Sequence, residues 1–169
     1  MITSMKIVSI DIGLVSLGYC TWNSINKKYK FGICNVREMC PKQSSKDYCL
    51  LAKTFLDTRK DIFKGANIIL LERQLQAGMK QFTSALRAFL WETGKVYLIS
   101  PITVKRYLGT SMGNYKKNKD ASIEMFQRIA DNESLRKFSV LKKKQKTDVA
   151  DAYLQMHWYL LKNNLFKGH

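Results

Sequence analysis

The sequence predicts an α/β fold: a mixed five-stranded sheet, antiparallel through its first three strands, with helices on its faces. Three observations carry this. Three short apolar segments separated by turn residues open the chain, the pattern of an antiparallel meander. From residue 47 onward, helical periodicity alternates with short continuous apolar runs, as in strands joined by crossover helices. The first of those runs, Ile68 to Leu71, is apolar at every position, as a strand buried on both faces in mid-sheet must be.

The first predicted strand starts at Lys6 and stops on Asp11; the chain turns through Gly13 and restarts at Gly18 as a second, antiparallel strand. A polar turn, Asn23 to Lys28, leads to a third strand over Tyr29 to Val36. The polar stretch Cys40 to Lys46, with Pro41, precedes a helix expected over Asp47 to Phe63, with Asp47 as N-cap and Gly65 as terminator. After the buried strand ending on Glu72, the spacing predicts a helix over Phe82 to Thr93 and a second buried strand over Val96 to Ile99. Pro101 opens a short helical piece, Gly109 to Lys119 reads as a loop, and Asp120 to Ala130 as a third helix. Asn132 to Lys146 reads as a basic loop before a final helix, Thr147 to Leu161, that buries Val149, Ala152, Tyr153, Met156 and Leu160. This order of elements is the ribonuclease H type of architecture.

At 169 residues and 46% hydrophobic content, the chain suits one domain spanning 1–169. It has no apolar run of membrane-spanning length and no signal-peptide pattern at its N-terminus, which predicts an intracellular protein without membrane contact. Cys20, Cys34, Cys40 and Cys49 form no CxxC pair, and with only two His they do not suit zinc; free thiols are expected. With 29 basic against 13 acidic residues, the net charge of +16 favours a phosphate-rich partner.

Against that basic background, four acids end up at comparable places. Asp11 and Glu72 close apolar strands, and Asp148 and Asp151 lie three apart on a helix and so share a face. Four such carboxylates brought together would repel one another unless cations sat between them. Mg²⁺ or Mn²⁺ suits an all-oxygen shell, and two such ions roughly 4 Å apart promote in-line phosphodiester hydrolysis. Each acid also has a plainer reading: Asp11 as a turn former, Glu72 as a partner of Arg73, Asp148 and Asp151 as charges capping the last helix.

With these residues in view, the chain resembles the RuvC-like Holliday junction resolvases of the ribonuclease H superfamily, most closely those of poxviruses. IDIG followed by LGY resembles the family's first strand and turn, LERQLQAGMKQFTSALRAFLWETG its glutamate strand and long helix, SPITVKRYL its proline and lysine segment, and DVADAY its closing helix. The resemblance implies a magnesium-dependent, structure-specific endodeoxyribonuclease, with Asp11, Glu72, Asp148 and Asp151 as ligands of two Mg²⁺ ions, Mn²⁺ substituting. It places Lys105, with Arg106 beside it, near phosphate, and Lys119 near the scissile phosphate, Lys117 being the nearest competitor. It also implies a homodimer that nicks four-way and other branched DNA symmetrically, with no small molecule as substrate. For a poxvirus protein it further implies the host cytoplasm and the resolution of concatemeric genomes.

Lys116 joins Lys142, Lys143, Lys144 and Lys146 as candidate DNA contacts. Phe82, Leu86, Phe89 and Trp91 are the candidate dimer face. The bacterial enzyme has an aromatic wedge shortly after the glutamate; here that region offers only Leu75, Gln76 and Met79, and Leu75 and Met79 are the candidates. His157 reads as a partly buried helix residue. Three other readings compete: a ribonuclease H acting on RNA:DNA hybrids, a non-catalytic DNA-binding module, and the sugar kinase, actin and Hsp70 superfamily, whose phosphate turn DIGxxxxGY resembles but whose second domain this length does not accommodate.

Overall fold

Strand β1 (Lys6–Asp11) lies at the centre of the sheet, antiparallel to β2 (Leu17–Asn23) and parallel to β4 (Ile68–Glu72). With β3 (Tyr29–Cys34) beside β2 and β5 (Lys95–Ile99) beside β4, the order is β3-β2-β1-β4-β5. The computed structural model describes residues 4–40 and 46–166. The stretch around Pro41 and the terminal His169 lie outside them. The ribonuclease H-like sheet expected from the sequence, with β4 in its interior, is the one observed.

Side chains on a strand alternate between faces, so β1 divides its residues between two cores. Val8 and Ile10 pack on one side with Phe55 of α1 (Tyr48–Thr58) and with Phe82 and Leu86 of α3 (Ala77–Phe89). Ile7 packs on the other, against α7 (Lys143–Lys162), together with Leu70 and Tyr153. The same alternation turns Asp11 on β1 and Glu72 on β4 toward α7. All five residues expected to bury the last helix are buried.

Several boundaries differ from expectation. The helix expected over residues 47–63 breaks at Arg59, which separates α1 from α2 (Lys60–Phe63). Its φ of −118° and ψ of 41° leave the helical range, and its guanidinium reaches Asp61, the Tyr19 hydroxyl and the Cys34 sulfur. Asp47 does cap α1, accepting from the Leu50 N–H at 2.9 Å. β3 stops at Cys34 and a 3-10 turn, Arg37–Met39, follows. α3 begins five residues early, because Gly78 lets the helix lie against the Tyr48 ring where a side chain would collide.

β5 is an edge strand, not a buried one, with Tyr97 and Leu98 exposed. α4 (Pro101–Leu108) is as expected, but α5 (Tyr115–Ile129) takes in part of the predicted loop, with Asn114 accepting from the Lys117 N–H. The predicted basic loop contains α6 (Asn132–Ser139), capped by Asp131 and anchored by Phe138 stacked on Phe126. α7 starts four residues early at Lys143, its first turn closed by the Gln145 side chain accepting from the Lys142 N–H. Asp148 and Asp151 are therefore inside α7, which removes the helix-cap explanation for them. The four cysteines are free thiols, three of them buried. Among the described residues no helix is long and apolar enough to cross a membrane.

Candidate metal centre and nucleic-acid face

The parallel register pairs Ile10 with Leu71, so the next step along both strands sets Asp11 beside Glu72. α7 crosses above them with Asp148 and Asp151. Asp11, Glu72 and Asp151 line one small cavity of about 20 Å³, together with Lys105, Ser122 and Gln155. Asp148 stands just outside it, within electrostatic reach of Asp11 and Asp151. The fold thus brings together all four acids singled out in the sequence.

Their mutual repulsion is visible in their acidities. Burial, then the charge and hydrogen bond of Glu72, then Asp151 and Asp148, hold Asp11 well above the usual carboxylate range. Burial also raises Glu72, Asp148 and Asp151. Each acid has a stand-in partner: Asp11 shares a proton with Glu72, Gln74 donates to Glu72 at 2.6 Å, the Ser16 hydroxyl donates to Asp148, and Ser122 and Lys105 (3.9 Å) face Asp151. Among the described residues, no three acidic, His or Cys side chains are already drawn around one point as a closed metal shell. The donor set nonetheless fits a hard divalent cation: oxygen ligands only, buried, and crowded by like charge that a cation would relieve.

The basic residues divide into three groups. Lys105 belongs to the site itself, half-buried between Asp151 and the charge of Glu72. Lys119 leans over the Tyr115 ring at 4.7 Å. Burial pulls its ammonium pKa down, but Tyr115 and the charges of Asp148 and Asp151 outweigh this and raise it. Lys117, the competitor, is exposed, as are Lys116 and Arg106. Lys142, Lys143 and Lys144 are exposed at the start of α7, where Lys143 meets Asp120 at 3.9 Å and Lys144 is felt by Asp148. Lys146 is turned back over the Phe138 ring.

Two expectations need correction. Phe82 and Leu86 are fully buried in the protomer and offer no surface to a dimer partner; each contributes about 1.5–3 kcal/mol to its own core. Phe89 and Trp91 are exposed, at 46% and 72%, and border a groove of about 800 Å³ with Leu98, Arg73 and Arg87. Of the two wedge candidates, Leu75 is exposed in the turn after Glu72, whereas Met79 packs against the α1–α3 core. His157 is partly buried, and burial lowers its pKa.

Sequence reading missed four residues that hold the acids in place: Ser16, Gln74, Ser122 and above all Gln155. The Gln155 amide is buried one turn after Asp151 and donates toward Ser9 Oγ (2.9 Å), Leu70 O (3.2 Å) and Ile10 O (3.4 Å). It ties the helix to both acid-bearing strands. A glutamine on the otherwise apolar face of a helix was the one available signal.

This sheet, with one carboxylate closing each of two central strands and two more on the helix across them, defines a protein of the ribonuclease H-like class. The chain belongs to the family described as Poxvirus A22 protein, whose profile matches residues 5–163. Its fold is similar to that of the Holliday junction resolvase of fowlpox virus, at 20% identity and a TM-score of 0.64 over 94% of this chain and 99% of that one. A second structure, of the fowlpox virus resolvase with substrate Holliday junction DNA, matches at 18% identity and a TM-score of 0.63, covering 94% and 99%. RuvC of Thermus thermophilus in complex with a Holliday junction substrate matches at 12% identity and a TM-score of 0.51, covering 94% and 96%. A comparison with curated protein sequences finds no match. The resemblance read from the sequence motifs is borne out.

Proposed function

We propose that the protein is a divalent-metal-dependent endodeoxyribonuclease that resolves four-way DNA junctions by paired symmetric incision, as a homodimer with one ribonuclease H-like nuclease domain per chain. The observation that carries this reading is the convergence of four carboxylates, Asp148 buried and the others partly so, from β1, β4 and α7 beside Lys105 and Lys119. The net charge of +16 and membership of the poxvirus family support it.

Asp11, Glu72, Asp148 and Asp151 would hold two Mg²⁺ ions, Mn²⁺ substituting. Bound there, the ions would stabilise charge on the scissile phosphate and lower the pKa of an attacking water. The chain's own groups do the rest. Ser16, Ser122, Gln74 and Gln155 fix the carboxylates in place, since a ligand free to rotate would lose the geometry. Lys119 offsets the extra negative charge on the phosphate in the transition state. Lys105 draws Asp151 and Glu72 toward the ionised form, against the burial that raises both. Arg106, Lys116, Lys117 and Lys142 to Lys144 follow the DNA backbone, while Leu75 is the side chain placed to press into the junction. Phe89, Trp91 and Leu98 form the face a second copy covers, which sets two active sites about a two-fold axis. The products are a 5′-phosphate and a 3′-hydroxyl, and the setting is the host cytoplasm, where concatemeric genomes are resolved into units.

The test is cleavage of an end-labelled four-way junction in Mg²⁺, beside linear duplex and an RNA:DNA hybrid, with Asp148→Asn as control. Paired symmetric nicks in the junction alone, absent in the variant, are expected. Cleavage of the hybrid in place of the junction would replace the assigned substrate.

A further inference from the structure

Helix α5 passes the acid cluster and turns one stripe of side chains along it. Tyr115, Lys119 and Ser122 stand at i, i+4 and i+7, so they share a face. Ser122 is the inner end of the stripe, buried, lining the acid cavity and bonded to Asp151. Lys119 stands at the rim, half-buried and within the field of Asp148 and Asp151. Tyr115 is the outer end, one turn or about 6 Å beyond Lys119 along the helix axis, and it is 75% exposed.

Helical side chains lean toward the N-terminus, so Lys119 reaches back to Tyr115. Its ammonium lies over that ring, 4.7 Å from the centroid, and bonds to the phenol oxygen. Among the described residues Lys119 makes no ion pair. One face of the Tyr115 ring is thus taken by the cation of the active site, and the other is open. The platform is fastened on both sides. Asn114 accepts from the Lys117 N–H at 2.9 Å, and Asn118 accepts from the Met112 N–H at 2.6 Å, which ties the preceding loop to the first turn of α5.

An open aromatic face on the rim of a DNA-cleaving site is complementary to a nucleobase, since every base has a π-face to stack. Lys116 and Lys117, exposed and next in the chain, supply charge for the phosphates that such a base brings with it. Bases follow one another about every 3.4 Å along a strand, so a ring about 6 Å from the ammonium that meets the cleaved phosphate reaches the base beside it. In continuous duplex both faces of that base are covered by its neighbours. Where strands change partners at a branch point, one face can be given up. We propose that Tyr115 is a substrate-positioning residue, whose open face stacks on the base adjoining the scissile phosphate at the branch point and so sets that phosphate against Lys119 and the four acids. The proposal rests on the DNA-cleaving reading above.

The test uses the full chain with Tyr115→Leu, a change at an exposed position that leaves both cores intact, and with Tyr115→Phe, which keeps the ring. Junctions carry 2-aminopurine as the base on one side or the other of the scissile phosphate, and binding is read in the Asp11→Asn background, where the strand stays whole. Emission from the bound junction should be several-fold brighter in Tyr115→Leu, because the base has lost its stacking partner, and Tyr115→Phe should restore the quenched level. With Asp11 intact, Tyr115→Leu should slow single-turnover cleavage of saturated complex roughly tenfold. An abasic residue in place of that base should slow the parent protein by a similar factor, and the two changes together should cost no more than either. Equal emission from all three proteins would overturn the proposal, as would leucine and abasic effects that multiply. So would a Tyr115→Phe protein as slow as Tyr115→Leu, since the hold of the phenol oxygen on Lys119 would then be what matters. Emission reads stacking without cleavage, so a parent protein that binds the junction but never cuts it overturns the enzymatic reading alone.

Discussion

Gly18 lies directly against the main chain of Asp148: a β carbon at this glycine would collide with the Asp148 carbonyl oxygen. Gly18 is also the antiparallel partner of Asp11. One absent side chain therefore lets the helix descend onto the sheet where its acid has to meet the acid of the central strand. Gly18→Ala should push α7 outward, with a loss of about 1–3 kcal/mol in stability. Junction cleavage should fall while junction binding persists, as read by single-turnover assays beside denaturant melts. Unchanged cleavage at unchanged stability would show that the approach is not needed.

The four acids make the metal-free fold sensitive to pH. Their folded pKa values are raised above the unfolded ones, so the stability they contribute is complete below about pH 4. It is lost as pH rises through the raised values. Melting temperature without divalent metal should therefore fall as pH is raised from acid toward neutrality. Mg²⁺ should restore it. Asp11→Asn should abolish cleavage yet raise the melting temperature of the metal-free protein near neutral pH, since it removes a carboxyl that burial and its neighbours hold above its ordinary pKa. A destabilised Asp11→Asn protein would contradict this account.

Gln155 is buried and faces three oxygen acceptors. Gln155→Leu should lower divalent-ion affinity and cleavage by about 10- to 100-fold, the usual effect of losing a group that positions a ligand, with little change in junction affinity. Gln155→Glu should be worse, because a carboxylate offers those oxygens no donor. Titration of cleavage against Mg²⁺ separates this from a general loss of fold.

Lys119 and Lys117 should separate by what they change. Lys119→Ala should reduce the rate of saturated complex, since that ammonium feels Asp148 and Asp151. Lys117→Ala should act only on affinity and its salt dependence. If the two variants exchanged these phenotypes, the transition-state role would move to Lys117.

Trp91 is exposed beside Phe89 on the border of the groove that Leu98, Arg73 and Arg87 also line. Trp91→Asp should yield a folded monomer by sedimentation, with cleavage lost through failure of paired incision. A dimeric Trp91→Asp protein would place the interface elsewhere.

The acids were legible in the sequence because each is marked locally. Asp11 and Glu72 end apolar strands, and the three-residue spacing of Asp148 and Asp151 puts them on one side of a helix whatever that helix packs against. The five strands were legible for the same reason, since alternation and continuous apolar runs are local signals. Helix α6 was hidden because only Leu135 and Phe138 mark its apolar side within a lysine- and arginine-rich segment. Phe82 and Leu86 looked like surplus apolar surface, since sequence does not say how many large side chains the core between α3 and the sheet absorbs.

By itself, then, the sequence determined which residues point together within each element, the strand directions, the four acids and the charge that favours a polyanion. Only tertiary structure decided that Asp11 and Glu72 turn toward α7, that Ser16 holds Asp148 from 132 residues away, and that Gln155 reaches the Leu70 carbonyl across 85. The physical reason is one of range. Side-chain direction within a strand or helix follows from backbone geometry over a few residues, whereas the approach of a helix to a sheet is set by packing and hydrogen bonds between segments far apart in the chain.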